Sequence, residues 1–150
     1  NPYTGILSIF SNLILNGREI NIFEDGAESR DFVYIDDVVS SLVFFVESEY
    51  VPSGAYNVGS GKQTSVVQVV QALLQQYKST QSYKISGNYR LGDIRHNFAD
   101  LQKITSLGFS PQVFFEDGLK SFCHWVVGQE IGDSRYEESL AELRAKKLLK

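Results

Sequence analysis

Apolar residues recur at helical spacing near the start of the chain. Ile6, Ile9, Phe10, Leu13 and Ile14 share one face of a helix predicted from Thr4 to Asn16, with Gly17 as its stop. The pattern then shortens. Ile20 to Phe23 reads as a strand, Glu24-Asp25-Gly26 as a turn, and Arg30 to Ile35 as a second strand, so a hairpin-like pair is expected. Asp36-Asp37 is expected to cap a helix running to about Ser48. Val38, Val39, Leu42, Val43, Phe45 and Val46 make that helix apolar over most of its girth, so burial on more than one side is expected.

The second half repeats the strand–turn–helix rhythm. Ala55 to Val58 is a short predicted strand, Gly59-Ser60-Gly61 a turn, and Ser65 the cap of a helix through Tyr77. Tyr83 to Ser86 reads as a strand. Asp100 caps a short helix ended by Gly108, and Phe115 to Val127 forms a further helix. Composition shifts at Gly128. The division expected is a folded portion over 1–127 and, over 128–150, a polar linker with an amphipathic helix from Arg135 to Leu149.

Composition narrows the class. With 43% hydrophobic residues in 150, the chain can form a core rather than remain disordered. A single Cys excludes a disulfide framework and a Cys-rich zinc site. No apolar run approaches the roughly 20 residues that span a bilayer, and no signal peptide is apparent, so a cytoplasmic protein without membrane attachment is expected. The chain contains no Met and begins Asn1-Pro2, which suggests a piece of something longer.

The net charge of −4 disfavours nucleic acid as a partner. Its distribution is more telling. Residues 1–49 hold nine acids and two bases, whereas residues 50–92 hold no acid and four bases: Lys62, Lys78, Lys84 and Arg90. An acid-free stretch suits a bound anion, although Lys78 and Lys84 read first as solvated surface.

Several familiar chemistries fail on spacing. Gly59-Ser60-Gly61-Lys62 resembles a phosphate-binding loop, but Gln63 stands where Ser or Thr is required and Tyr56 where the upstream Gly belongs. Thr64 likewise breaks a dinucleotide fingerprint, leaving a tight strand-to-helix turn. Cys123 and His124 are neighbours on a helix, so their side chains diverge, and Cys123 reads as a small core residue. Two His residues are too few for a His-based zinc site or a defensible Ser-His-Asp arrangement.

Three ordered stretches are specific together. They are Glu24-Asp25-Gly26 followed by Arg30-Asp31-Phe32-Val33-Tyr34-Ile35-Asp36-Asp37-Val38, then Tyr56-Asn57-Val58-Gly59-Ser60-Gly61, then Tyr89-Arg90-Leu91-Gly92-Asp93-Ile94-Arg95-His96. Over about residues 3–127 this set resembles the carboxy-terminal part of the extended short-chain dehydrogenase/reductases, the NAD-dependent nucleotide-sugar epimerases and dehydratases. The pattern is most similar to sugar-nucleotide 4-epimerases, such as the UDP-glucose and dTDP-L-rhamnose 4-epimerases. The tail Tyr136 to Leu143 looks like an extension found in some of them.

The resemblance implies an α/β fold: a substrate-binding lobe plus the last strand and helix of a Rossmann-type fold, with a small mixed sheet and helices. It implies that Leu7, Asn21 and Phe23 contact a nucleotide base, that Arg30 and Arg90 grip a diphosphate, and that Asp93 holds ribose hydroxyls. The chemistry agrees, since Arg offers a planar donor fork and a carboxylate suits vicinal hydroxyls. An internal Arg90–Asp93 ion pair is the competing structural reading. The implied ligand is a UDP-, dTDP- or GDP-linked sugar, the implied cofactor NAD, and the implied parent a homodimer.

The family's Tyr-x-x-x-Lys pair is absent: Tyr34 is followed at that distance by Val38 and Tyr83 by Gly87. The glycine-rich cofactor turn is absent too. No catalytic residue is therefore expected in this chain, and NAD is expected to bind an amino-terminal half that it lacks. The expected function is the substrate-binding portion of a nucleotide-sugar 4-epimerase, inactive alone. A 4,6-dehydratase or reductase on the same fold, or a non-enzymatic binding and assembly module, are the alternatives. Removed from the rest of such a fold, the apolar faces of residues 33–48 and 55–60 would be exposed.

Overall fold

A computed structural model describes residues 5–129 and 136–150. The opening Asn1-Pro2-Tyr3, the expected helix start at Thr4 and the expected start of the last helix at Arg135 lie outside them. Among the described residues, six helices and four short strands follow in the order α1 (Ile6–Leu15), β1 (Ile20–Ile22), β2 (Ser29–Arg30), α2 (Ile35–Glu47), β3 (Thr64–Ser65), α3 (Val66–Gln76), β4 (Tyr83–Ile85), α4 (Gln102–Thr105), α5 (Phe115–Val127) and α6 (Tyr136–Ala145). No helix among the described residues is long and apolar enough to cross a membrane.

The core is built where the apolar patterns meet. Ile20 and Ile22 of β1 are fully buried, and Phe10, Leu13 and Ile14 of α1 join Val69, Val70 and Leu73 of α3 around them. Leu119 and Cys123 of α5 close the cluster, with α3 packed between α1 and α5. α3 begins sharply because Ser65 Oγ accepts from Gln68 N while Gln68 Oε1 accepts from Ser65 N. That reciprocal cap satisfies two of the donors a helix start leaves open. Gly26 (φ +75°) packs under this start, where a Cβ would drive into Val67 Cγ2.

The expected hairpin does not form. β1 pairs in parallel with β4, Ile20 opposite Tyr83 and Ile22 opposite Ile85, while β2 pairs antiparallel with β3. A parallel pair needs a long crossover, and the chain supplies one through α2 and α3. The Arg30–Ile35 run leaves the ladder after Arg30 because Asp31 turns its carboxylate to a loop. It accepts from Ser60 N, Ser60 Oγ, Gly61 N and Ala99 N. A Cβ on Gly59 would stand 2.6 Å from Asp31 Oδ2, so this close approach needs glycine.

Three further expectations are corrected. Ala55 to Val58 forms no strand: a strand needs a ladder partner, and this backbone is met by side chains instead, Lys103 Nζ donating to Ala55 O at 2.9 Å. Asp36-Asp37 is not the cap of α2; Tyr34 holds that position without a side-chain bond. Asp37 is instead buried one turn in, where Oδ1 accepts from Gln112 N at 2.8 Å and Oδ2 from Val113 N at 3.0 Å. The girth of α2 is not buried either. Its inward positions are Asp37 and Ser41, and Ile35, Val39, Leu42, Val43 and Val46 stand exposed, Val46 at 85%. Exposure of this apolar face is what a chain cut from a larger fold was expected to show.

Two outcomes test this architecture. Leu73→Ala empties a fully buried site between three elements and should cost about 2–5 kcal/mol in urea denaturation. Burial alone would raise the Asp31 carboxyl, but bonds from the Ser60 hydroxyl and the Ala99, Ser60 and Gly61 amides outweigh it and hold it below the usual range. Its stabilisation is thus complete above the unfolded carboxylate value and is lost as pH falls through the lower folded value. Asp31→Asn should cost about 1.5–3 kcal/mol at neutral pH. It should also flatten the acid limb of a stability-versus-pH curve; a variant as acid-sensitive as the parent would contradict this role.

Candidate functional site

In an extended segment successive side chains point to opposite sides. Asp31 faces the 59–61 turn, and its neighbour Arg30 faces a cavity of about 360 Å³. Asn21 enters the same cavity from between the two buried isoleucines of β1. Ile6, Ile9 and Phe10 of α1 and Val66 of α3 give it an apolar wall, and Phe23 lies just beyond β1. Arg90 and Asp93 arrive from the loop after β4, and Tyr136 from the start of α6.

The cationic groups are held differently. Arg30 Nη1 donates to Ser29 O at 2.8 Å and Arg95 O at 3.1 Å, which leaves its other edge 3.5 Å from Asp93 Oδ1. Arg90 stacks over the Phe23 ring, 5.3 Å from its centroid, and its Nε is buried without a hydrogen-bond partner. Asp93 therefore pairs with Arg30, not with Arg90 as the internal-pair reading would have it. A buried unsatisfied guanidinium donor beside a cavity is costly unless something fills it.

Acids occupy the same cavity. Glu24 and Glu28 both line it. Glu28 is 8% exposed and its Oε2 has no partner. Burial pushes its carboxyl up, as do the nearby charges of Glu24 and Asp25, against the pull of its own backbone amide and Arg95. Arg95 ties the outer two carboxylates, at 2.6 Å from both Glu24 Oε2 and Asp25 Oδ2. Among the described residues, Glu24, Asp25 and Glu28 are one group whose oxygens lie close enough to hold a metal ion, within 4.8 Å of one another. Arg95 already neutralises two of the three.

Five of the six residues singled out by sequence thus converge: Asn21, Phe23, Arg30, Arg90 and Asp93. Leu7 is half-buried against the core instead of lining the cavity. Sequence reasoning missed Ile6 and Ile9, which the i, i+3 spacing of α1 could have offered, and Glu24, Glu28 and Tyr136, for which no local pattern exists. Lys84 pairs with Glu19, and Lys62 lies over the Phe114 ring, both away from this cavity.

The Gly59-Ser60-Gly61 turn holds no anion cradle. The Ser60 and Gly61 amides that would face a phosphate donate to Asp31. Cys123 is buried in the core, where burial raises its thiol, and the Tyr77 hydroxyl beside it is pushed up to about 12 for the same reason. Neither is poised to act as a nucleophile. His96 is engaged by Ser29, whose Oγ is 2.9 Å from Nδ1.

Comparison with known proteins adds four findings. Residues 1–59 match the family model described as the NAD dependent epimerase/dehydratase family. The dTDP-L-rhamnose 4-epimerase of Burkholderia thailandensis is 34% identical over 128 residues, covering 85% of this chain and 35% of that protein. Among solved structures, UDP-glucose 4-epimerase of Thermotoga maritima with UDP-glucose superposes with a TM-score of 0.75 at 32% identity, over 85% of this chain and 41% of that one. UDP-N-acetylglucosamine 4-epimerase of Methanobrevibacter ruminantium gives 0.76 at 30% identity, over 86% and 41%. The chain therefore spans about two fifths of the length of the relatives it matches. Its α/β elements are those of part of a Rossmann-type epimerase, and the chain belongs to the NAD dependent epimerase/dehydratase family.

Proposed function

We propose that the cavity is the nucleotide-sugar subsite of a 4-epimerase and that this chain is its substrate-binding portion. One observation carries the reading: two arginines from distant parts of the chain meet at one cavity with an apolar and aromatic wall. A nucleoside diphosphate sugar presents the complementary pattern, a flat base, two hydroxyls and a double anion. In this reading Phe23 and Asn21 meet the base, with Leu7 supporting from α1. Arg30 and Arg90 take the diphosphate, filling the open Arg90 Nε, and Asp93 accepts from the ribose hydroxyls. The Asp93–Arg30 contact then serves as a placeholder that loosens as the ligand arrives. Arg30 can give up that contact without losing its place, because two backbone carbonyls still hold it.

The residues present do not fit a dinucleotide cofactor, since the one glycine turn that resembles a cradle is closed by Asp31. NAD, which would supply oxidation of the sugar and return of the hydride, belongs in this reading to residues outside the chain. The chain's own contribution is to bind and orient: the diphosphate anchors the nucleotide and leaves the sugar directed away from the Arg pair.

In the full-length enzyme, Arg30→Ala or Arg90→Ala should each weaken nucleotide-sugar binding by about 1.5–3 kcal/mol, the scale of a hydrogen bond to a charged group. Unchanged affinity by calorimetry would remove the diphosphate role. The 150-residue chain alone, supplied with NAD, should turn over no sugar nucleotide, and measurable epimerisation by it would overturn the assignment of catalysis to residues elsewhere.

A further inference from the structure

The loop that carries Arg90 is clasped by the end of the chain. Tyr89 N donates to Lys150 O at 2.8 Å, Lys150 N to Tyr89 O at 3.0 Å, and Leu91 N to Leu148 O at 2.8 Å. Arg90 and Leu149 lie opposite each other in this antiparallel bridge, so the bonds fall on both sides of Arg90. The loop is otherwise bounded by Gly87 (φ +72°) and Gly92 (φ +85°), neither of which has a neighbour that an added Cβ would meet. Two unhindered glycines leave the segment room to move, and the clasp restrains it around Arg90, while Glu24 N donating to Asn88 O at 2.7 Å holds its start. The tail is itself seated: Leu140 of α6 is buried, and Tyr136 of the same helix lines the cavity.

We propose that residues 136–150 are a positioning element of the binding site, with Tyr136 as a wall of the cavity and residues 148–150 holding Arg90 over it. This rests on the reading of the cavity as a nucleotide-diphosphate subsite. An arginine on a free loop must be ordered when the anion binds, and that ordering subtracts from affinity; a loop already ordered by three backbone bonds avoids the cost. The tail thus acts on binding through Arg90.

The test uses the full-length enzyme with UDP, dTDP and GDP as calorimetric probes. A chain stopped after Lys147 should bind the preferred diphosphate about tenfold more weakly, the equivalent of one charged hydrogen bond. The same truncation in an Arg90→Ala background should cause no further loss, because the clasp has nothing left to position. Equal loss in both backgrounds, or no loss in either, overturns the proposal. If the truncated chain loses its cooperative thermal melt, Lys150→Pro decides, since it removes only the Lys150 N–Tyr89 O bond. A roughly threefold weakening that vanishes with Arg90→Ala is expected, and unchanged affinity overturns the proposal. Failure of the unaltered enzyme to bind any of the three diphosphates would instead overturn the reading of the cavity, and the positioning role with it.

Discussion

The Asp31 carboxylate is the contact on which the site depends. It gathers donors from the 59–61 turn and from Ala99, segments far apart in the chain, onto the residue that follows β2. A charged acceptor that takes four donors is hard to move, since releasing it would strand both the carboxylate and several amides. Its immediate neighbour is thereby fixed as well. With Asp31 turned to the loop, Arg30 must face the other way, toward β1, α1 and the loop after β4. Adjacent residues of opposite charge thus have separate duties, one closing the fold and the other facing the cavity.

The cavity is electrostatically divided. Arg30 and Arg90 bring positive charge, while Glu24 and Glu28 bring carboxyls, one of them buried with an oxygen unpartnered. Arg95 keeps the acidic side from dominating by bridging Glu24 and Asp25, and its backbone carbonyl also accepts from Arg30. One residue therefore couples the two halves. Its guanidinium neutralises the acids, and its carbonyl aims the cation.

α2 shows the same fold from its unfinished side. Asp37 locks its first turn to the loop before α5 through two backbone amides, yet most of its apolar residues meet solvent. The helix is anchored by these polar contacts and by Phe44 and Phe45, which pack on Phe109 and Tyr56, while Val39, Leu42, Val43 and Val46 stand exposed. That is the arrangement expected of an element whose packing face belongs to a larger sheet, and it accords with a chain that spans about two fifths of its relatives.

Local signals were legible in the residues themselves. The Ser65 cap, the apolar stripe of α1, the span Phe115 to Val127 and the glycine turn each reflect interactions within a few positions, and sequence spacing encodes those directly. Motif order likewise singled out Arg30, Arg90 and Asp93 before their meeting place was known. Strand pairing was not legible, because β1 prefers β4 over the nearer Arg30–Ile35 run only once α1 and α3 have buried Ile20 and Ile22. Nor was the role of Asp37, whose amide partners lie tens of residues away, or of Glu28 and Tyr136, which come to the cavity only in the folded chain. By itself the sequence determined which helices would form and singled out most of the polar residues that line the cavity. The tertiary structure decided which charges meet, since pairing Asp93 with Arg30 and leaving Arg90 Nε open depends on distances that no local pattern carries.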